Sequence, residues 1–375
     1  MNRLRRRLLA GFALGAVLRR ARAAFDYPQV EPRSIAFPRD YGAHLAYRIE
    51  WWYMTGLLDP PDKSSEPRLG IQLTFFRIRP PVDPDNPSRF AAHQLVLAHA
   101  AVADPRRGAL LHQERIERAG FGIASVSELG TEVHIDRWGL HRDPTSGVYR
   151  GQARGARFAL QVTARPTQPP LLQGQHGYSR KGPAGAPEVP ASFYYSEPQL
   201  VLEALVSTDS DSEGALRTGR GWLDHEWSSR VLPPQAAGWD WMGCNLNDGS
   251  ALTAFQIRPA GDAVETEPWF AYASLRARGA LIRTFEASQV RFEVLQRWTS
   301  PRTRAVYPVA QRLRVGERVF EMRPLMLDQE LDPQAAGGVA YWEGASDLLE
   351  DGRVIGEGYL ELTGYAAPMS DLFTG

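Results

Sequence analysis

Short runs of alternating apolar and polar residues, separated by turn residues, dominate the chain after its N-terminal segment. Strand-like runs lie at residues 50–58, 71–78, 94–102, 157–163, 199–206, 239–245, 251–257 and 354–362. Asn247-Asp248-Gly249 and Asp351-Gly352 separate consecutive runs, as hairpin turns do. No long stretch shows the apolar period of about 3.6 residues that is typical of a helix. The pattern therefore predicts an all-β protein of antiparallel barrels or sandwiches.

The length of the chain and the positions of its strand-breaking prolines indicate two domains. At 375 residues the chain exceeds the size of one ordinary hydrophobic core. Pro233 and Pro234 end one strand-like run just before an aromatic one begins. We therefore predict an N-terminal domain at residues 36–231 and a C-terminal domain at residues 232–370. Residues 80–87 have the composition of an exposed loop, and residues 166–190 that of a linker or of a long loop covering a barrel mouth.

The start of the chain has the pattern of an export signal. An arginine-rich segment at residues 3–7 precedes an apolar stretch at residues 8–18, which is too short to cross a bilayer. Small residues at 21–23 offer a cleavage site, and the paired arginines resemble a twin-arginine signal. Residues 1–24 are therefore predicted to be a signal peptide, and the protein to be periplasmic or secreted. An uncleaved anchor is the alternative.

The composition of the chain argues against several classes of partner and functional site. The 43 basic and 43 acidic residues balance, so no net charge favours nucleic acid as a partner. The single cysteine, Cys244, excludes an intramolecular disulfide and a thiolate-rich metal site, and its apolar surroundings predict a core residue. The histidines show no metal-ligand spacing, and the chain has no nucleophile elbow, P-loop or dinucleotide-binding turn. We therefore predict neither a metal nor a cofactor.

The first candidate cluster is Glu50-Trp51-Trp52-Tyr53. Side chains alternate between the faces of a strand, so Glu50 shares a face with Trp52 while Trp51 shares the other face with Tyr53. A carboxylate inside a barrel needs a partner or a raised pKa, which makes Glu50 a candidate functional group. The alternative is a tryptophan plug that closes the barrel end.

The second candidate cluster is Asp224-His225-Glu226-Trp227. Alternation places Asp224 and Glu226 on one face of the strand and His225 and Trp227 on the other. A histidine beside a carboxylate can transfer protons near neutral pH. The predicted catalytic residues are therefore His225, Asp224 and Glu226. The alternative for His225 is a hydrogen-bonded structural histidine.

Aromatic residues on the predicted strands form a third group. They suit a cavity for a flat or conjugated apolar ligand that tyrosine hydroxyls orient. Cross-strand pairing that stabilises the sheets is the alternative. With the neighbouring carboxylates, the predicted ligand-binding residues are Glu50, Trp52, Tyr53, Tyr194, Tyr195, Trp227, Trp239, Trp241, Tyr341, Glu343 and Tyr359. Glu361 is a further candidate carboxylate.

Several motifs follow one another along the chain. They lie at residues 50–56 (EWWYMTG), 171–182 (LLQGQHGYSRKG), 192–200 (SFYYSEPQL), 221–229 (GWLDHEWSS), 341–346 (YWEGAS) and 356–365 (GEGYLELTGY). Together they resemble the AttH-like secreted lipocalin family, which includes carotenoid 1,2-hydratases and is related to fungal proteins of polyketide cyclisation. The resemblance covers nearly all of the chain after the leader. It implies two lipocalin-like β-barrel domains, export, and a ligand region within or between the barrels.

The hydratase branch of that family resembles this chain at His225 and Trp227. That branch has an acidic residue for alkene protonation on the strand after Trp-Asp-Trp, whereas residues 251–257 here hold no carboxylate. The alternatives for this role are Asp240, Asp224 and Glu226.

The resulting hypothesis is an exported two-domain lipocalin that binds a hydrophobic isoprenoid, polyketide or lipid and carries out hydratase or isomerase chemistry. In that hypothesis His225 relays a proton, Asp224 or Glu226 orients it, and the rings of Trp52, Trp227 and Trp241 stabilise developing positive charge. The competing hypothesis is a noncatalytic periplasmic carrier that delivers an amphipathic ligand to an ABC-type membrane transporter. A carrier is expected to have its carboxylates paired with arginines.

Overall fold

The computed structural model describes residues 27–61, 66–183, 185–186, 189–209, 211–260, 267–278, 281–332 and 338–369, and the predicted signal peptide lies outside these ranges. Within them, the regular structure is β-strand apart from short 3-10 helices at Arg39–Tyr41, Pro105–Arg107 and Ala287–Gln289. No described helix is long and apolar enough to cross a membrane. The all-β prediction is confirmed.

The first sheet contains thirteen antiparallel strands. They are β1 Ile49–Leu58, β2 Leu69–Ile78, β3 Leu95–Ala103, β4 Leu111–Arg118, β5 Ala124–Val126, β6 Glu132–Ile135, β7 Trp138–Arg142, β8 Tyr149–Arg154, β9 Phe158–Arg165, β10 Leu171–Leu172, β11 Tyr178–Arg180, β12 Ala191–Thr208 and β13 Asp211–Arg230. The strand order is β4-β3-β2-β1-β13-β12-β9-β8-β7-β6-β5, and β10 and β11 pair with β12. The ends of the sheet approach each other where β3 and β4 contact β6, so the sheet curls into a barrel.

The second sheet contains ten antiparallel strands. They are β14 Ala236–Leu246, β15 Ala251–Pro259, β16 Phe270–Arg276, β17 Ile282–Phe285, β18 Val290–Thr299, β19 Val306–Val315, β20 Arg318–Pro324, β21 Glu330–Leu331, β22 Tyr341–Glu350 and β23 Arg353–Leu362. The order is β17-β16-β15-β14-β23-β22-β20-β19-β18, with β21 beside β22, and β16 contacts β18 to curl this sheet as well. Both predicted hairpin turns join consecutive strands, β14 to β15 and β22 to β23.

The chain passes from the first sheet to the second through a short connection that contains Pro233 and Pro234. In this connection β13 has ended at Arg230 and β14 has not yet begun at Ala236. The division of the chain into separate folding domains at residue 231 stays a prediction. Cys244 is buried in the core of the second barrel, beside the sulfur of Met322.

Alternation along the central strands builds hydrophobic cores on both of their faces. One face of each barrel wall packs inside that barrel, as Trp52 and Met54 do in the first and Met242 does in the second. The opposite faces pack against each other between the barrels, where Tyr53 and Trp241 belong to one cluster. Because the outward faces are also apolar, these strands are covered on both sides.

Part of the segment at residues 166–190, which was predicted to be a linker or a covering loop, lies across both barrels. The Gln173 side chain donates to Ser196 in the first barrel and to Thr253 in the second, each at 3.0 Å. The Gly174 backbone N–H donates to the Tyr272 hydroxyl at 2.9 Å. The segment therefore fastens the two sheets together at the edge of their interface.

Candidate functional site

A partly open cavity of about 170 Å³ lies between the barrels. Its walls include the rings of Trp51, Tyr53, Tyr194, Trp239, Trp241 and Tyr341. An engineered apolar cavity of about 150 Å³ holds one benzene molecule, so this space accepts a ring or a short branched segment of a ligand. The cavity lies against the outward faces of the strands, and the barrel interiors are filled by the cores described above.

Strand pairing decides which candidate side chains reach the cavity. In the register of β1 with β13, Trp51 lies opposite Glu226 and Tyr53 lies opposite Asp224. These four side chains point outward and line the cavity. Their neighbours along both strands, including His225, point into the first barrel.

Asp224 is a buried carboxyl with neutral hydrogen-bond partners. The Tyr194 hydroxyl donates to Oδ2 and the Trp222 indole N–H donates to Oδ1, each at 2.7 Å. The Trp241 indole N–H in turn donates to the Tyr194 hydroxyl at 2.9 Å. Burial outweighs these hydrogen bonds and raises the pKa of Asp224 to about 7. Asp224 is therefore a carboxylic acid that can lose its proton near neutral pH.

Two further carboxyls face the cavity from the second barrel. Glu343 on β22 lies directly opposite Glu361 on β23. The Tyr53 hydroxyl donates to Glu343 at 2.7 Å, and the Trp239 indole N–H donates to Glu361 at 2.8 Å. Burial raises the pKa of Glu361 to about 7, and burial together with the nearby Glu361 carboxyl holds the pKa of Glu343 well above its usual range. The pair therefore retains at least one proton at neutral pH.

Glu226 has a different environment from the other three carboxyls. The Lys181 ammonium lies 2.8 Å from its Oε1, and both side chains are almost completely buried. The Ser192 hydroxyl also donates to Oε1. The cavity thus contains one carboxylate in an ion pair beside carboxyls whose described partners are neutral.

A neutral polar group completes the wall that the first barrel contributes. The Tyr341 hydroxyl lies 2.7 Å from Nδ1 of His99, and the Gln72 amide donates to the same hydroxyl at 3.3 Å. Burial lowers the pKa of His99 to about 4, so its imidazole is neutral.

His225 belongs to a second polar cluster, inside the first barrel. Its Nε2 lies 2.8 Å from Glu50 Oε1, and the Tyr195 hydroxyl lies 3.1 Å from its Nδ1. His44 Nδ1 contacts the same Glu50 oxygen at 2.8 Å, and Arg77 donates to the other oxygen at 3.2 Å. Although burial opposes it, these donors hold the pKa of Glu50 well below its usual range. Burial lowers the pKa of His225, so its neutral ring donates from Nε2.

This location corrects the predicted catalytic arrangement. Asp224 and Glu226 cannot orient His225, because they leave β13 on the opposite face; Glu50 and Tyr195 orient it instead. His225 is 0% exposed and is not part of the cavity wall.

The predicted ligand-binding residues divide by the same alternation. Tyr53, Tyr194, Trp239, Trp241, Tyr341 and Glu343 line the cavity. Glu50, Trp52, Tyr195 and Trp227 do not, because they point into the first barrel, where Trp52 stacks on His225 with ring centroids 4.8 Å apart and Trp227 stacks on His44 at 3.7 Å. Tyr359 packs in the core between the barrels and does not reach the cavity wall. Of the three predicted indoles, only that of Trp241 can therefore face a charge in the cavity.

Asp240 is also placed away from the cavity. It lies inside the second barrel, where Arg258 donates to Oδ1 at 2.9 Å and Gln256 donates to Oδ2 at 2.8 Å. An ion-paired carboxylate in this position cannot protonate a ligand between the barrels. Asp224 and Glu226 remain from the three predicted alternatives.

Within the described part of the chain, His44, Glu50 and His225 are the residues grouped closely enough to hold a metal ion, with ligand atoms within 4.8 Å of one another. The hydrogen bonds already explain this grouping. Both oxygens of Glu50 have partners: Oε1 contacts the two imidazoles, and Oε2 accepts from the His44 backbone N–H at 2.8 Å and from Arg77 at 3.2 Å. We therefore describe the cluster as a structural one.

The sequence profile of the AttH-like family matches residues 28–365. The chain belongs to the AttH-like family. The crystal structure of a candidate AttH from Nitrosomonas europaea is 46% identical to this AttH-like chain, with a TM-score of 0.81, and the match covers 91% of this chain and 100% of the other. No curated protein matches the sequence.

More distant structures share the architecture of this AttH-like protein. Kievitone hydratase from Nectria haematococca is 14% identical with a TM-score of 0.60, over 91% of this chain and 99% of the hydratase. CghA is also 14% identical, with a TM-score of 0.52, over 90% of this chain and 96% of CghA. At these identities the likeness shows the two-barrel fold alone.

Lys181 and His99 are cavity residues that the sequence pattern did not predict. Lys181 follows the short strand β11 in the segment that crosses both barrels, and no local pattern shows where such a segment ends up. A signal was nevertheless present, because Lys181 is one of only two lysines in the chain. His99 is the one polar residue of the otherwise apolar strand β3, a pattern that a buried structural histidine shares.

Proposed function

We propose that this protein binds an unsaturated, apolar small molecule between its barrels and transfers a proton to a carbon–carbon double bond of that molecule, as hydratases and isomerases do. One observation carries the proposal. Asp224, Glu343 and Glu361 face an aromatic-lined cavity, and their described hydrogen-bond partners are the neutral side chains of tyrosine, tryptophan, serine and glutamine.

Protonating an alkene requires a carboxylic acid that keeps its proton near neutral pH and lies against the ligand. Asp224 is the best-equipped of the three carboxyls for this step. The Tyr194 and Trp222 donors remain in place after the proton leaves, so they stabilise the carboxylate that forms. The faces of Trp51 and Trp241 in the cavity wall can stabilise positive charge on the ligand.

The ligand class follows from the cavity wall and its size. An isoprenoid, polyketide or lipid can place a ring or a branched end in about 170 Å³ while the rest of the molecule leaves through the open side. A hydratase with the same two-barrel fold indicates that this architecture is compatible with water addition. Export to the periplasm and a membrane transporter as a partner stay predictions.

The carrier hypothesis has less support. It expects the carboxylates to be paired with arginines, but the ion pair described at the cavity joins Glu226 to a lysine. A carrier also gains nothing from buried acids with neutral partners, since each costs stability when it ionises.

Mass spectrometry of the intact protein purified from cells can identify a bound molecule. That molecule, incubated with the protein in D2O, is expected to gain deuterium at carbon. The Asp224→Asn variant should still bind it but add no deuterium, whereas Glu203→Gln, an exposed change on β12, should behave as the wild type does. Deuterium incorporation that survives Asp224→Asn would contradict the role of Asp224.

A further inference from the structure

Lysine is rare in this chain, and Lys181 is buried in the wall of the cavity. The chain has only two lysines, Lys63 and Lys181, among its 43 basic residues, and the others are arginines. Lys181 is 6% exposed and lies in the cavity wall. An ammonium group is a compact charge with three rotatable N–H donors, whereas a guanidinium is a planar fork. Lys181 therefore presents a donor suited to a single oxygen atom.

The contacts of Lys181 leave it available to a ligand. Its Nζ lies 2.8 Å from Glu226 Oε1 and 3.2 Å from the Ser179 hydroxyl. It also lies 4.6 Å from the centroid of the Phe255 ring and 5.1 Å from that of Tyr194. The two oxygens use two of the three N–H donors, and aromatic faces stabilise the charge of the ammonium without using the third.

Glu226, which contacts this ammonium, shares its strand face with Asp224, and the two carboxyls have different partners. They are alternate residues of β13, so their Cα atoms lie about 7 Å apart on one face of the strand. Glu226 is a carboxylate held by Lys181, whereas Asp224 receives hydrogen bonds from neutral groups. One strand face thus presents a base and an acid side by side, with a cation next to the base.

We propose that the ligand is an α,β-unsaturated carbonyl compound, that the Lys181 ammonium binds its carbonyl oxygen, and that water adds across the conjugated double bond. This proposal rests on the proton transfer proposed above and names its substrate class. An isolated alkene has no oxygen for Lys181 and develops only positive charge, which an ammonium opposes. An enone develops negative charge on its carbonyl oxygen, which an ammonium stabilises.

The step balances as an addition of one water molecule. Glu226 takes a proton from water while the water oxygen bonds to the β-carbon, and the π electrons move to the carbonyl oxygen as an enolate bound to Lys181. Asp224 then gives its proton to the α-carbon, and the carbonyl reforms. The proton on Glu226 returns to Asp224 through solvent, so both carboxyls regain their starting states.

The test compares two probes that differ at one carbon: benzylideneacetone, an aryl enone, and (E)-1-phenyl-1-butene, the hydrocarbon with a methylene group in place of the carbonyl. A hydrogen bond from a charged donor is expected to give the wild type about tenfold or greater preference for the enone. Lys181→Met should remove the preference, so that the variant binds the two probes with nearly equal affinity. The enone absorption band should shift to longer wavelength on the wild type and not on Lys181→Met.

Arg154→Met, an exposed change on β8, is the control and should keep the preference. Because Lys181→Met leaves Glu226 as a buried unpaired charge, the Lys181→Met/Glu226→Gln double variant removes both charges and serves if the single variant does not fold. Equal affinity of the wild type for both probes, or a preference that survives Lys181→Met, would overturn the enone proposal and leave the cavity as a site for apolar ligands. Failure of both probes to bind would overturn the proposed function as well.

Discussion

The replacement Asp224→Asn tests the electrostatics of the cavity without any knowledge of the ligand. In the unfolded chain an aspartate carboxyl has a pKa of about 4. In the folded protein burial raises the pKa of Asp224 to about 7. Between these two pKa values the folded state binds a proton that the unfolded state does not. The wild type should therefore lose stability as pH rises through this window and level off above it.

The magnitude follows from the size of the window. Each pH unit costs about 1.4 kcal/mol, so ionising Asp224 costs about 4 kcal/mol of unfolding free energy between about pH 4 and about pH 8. Asparagine does not titrate over this range. Asp224→Asn also changes the hydrogen bonds with Tyr194 and Trp222, but that cost is the same at every pH and cancels when the two pH values are compared.

The assay is urea unfolding of the wild type and of Asp224→Asn across this pH range. The stability of the variant relative to the wild type should increase by about 4 kcal/mol from the acidic to the alkaline end. Glu203→Gln, in which the replaced carboxyl lies exposed on β12, should show almost no change in the same comparison. A difference between Asp224→Asn and the wild type that stays constant with pH would refute the view that Asp224 is a buried acid without a cation partner.

Three further outcomes are expected. Turnover should fall as pH rises above about 7, where Asp224 and Glu361 lose their protons, and a rate that keeps rising with pH would exclude both as the acid. Arg77→Met should lower the unfolding free energy by about 3–5 kcal/mol in denaturant titration, because it removes the guanidinium that is paired with the buried Glu50 charge. His225→Phe should cost about 1–3 kcal/mol through lost hydrogen bonds and leave turnover per folded molecule unchanged; loss of turnover in a folded variant would restore a catalytic role for His225.

The sequence predicted which residues share a face of a strand. It did not predict which face lies inside the barrel and which lies between the two barrels. Alternation correctly separated Glu50 and Trp52 from Trp51 and Tyr53. In a barrel with one wet surface, the more polar face would be the outer one. Here a second barrel covers the outer face of β1, so both faces carry aromatic residues and an acid, and the pattern has no sign that distinguishes interior from interface.

The lack of a carboxylate on the strand after Trp239-Asp240-Trp241 illustrates a second limit. Residues 251–257 hold no carboxylate, and the structure supplies the cavity with Glu361 from β23, the other neighbour of β14. Glu361 lies more than a hundred positions further along the chain, so only the sheet order brings it to the site. Lys181 depends in the same way on how residues 166–190 cross the interface, which local propensity does not determine.

The two faces of β13 carry two polar clusters, one inside the first barrel and one at the cavity, and their positions give a reason for them to occur together. On its inner face His225 bonds to Glu50 of β1, and on its outer face Asp224 bonds to Tyr194 of β12. Both bonds fix the same stretch of backbone from opposite sides. The buried inner cluster therefore holds rigid the strand that presents the cavity acids, and changes there should alter stability and the precision of the site before they alter its chemistry. Substitutions of the residues that line the cavity, such as Lys181 and Asp224, are instead expected to change which ligand the protein prefers.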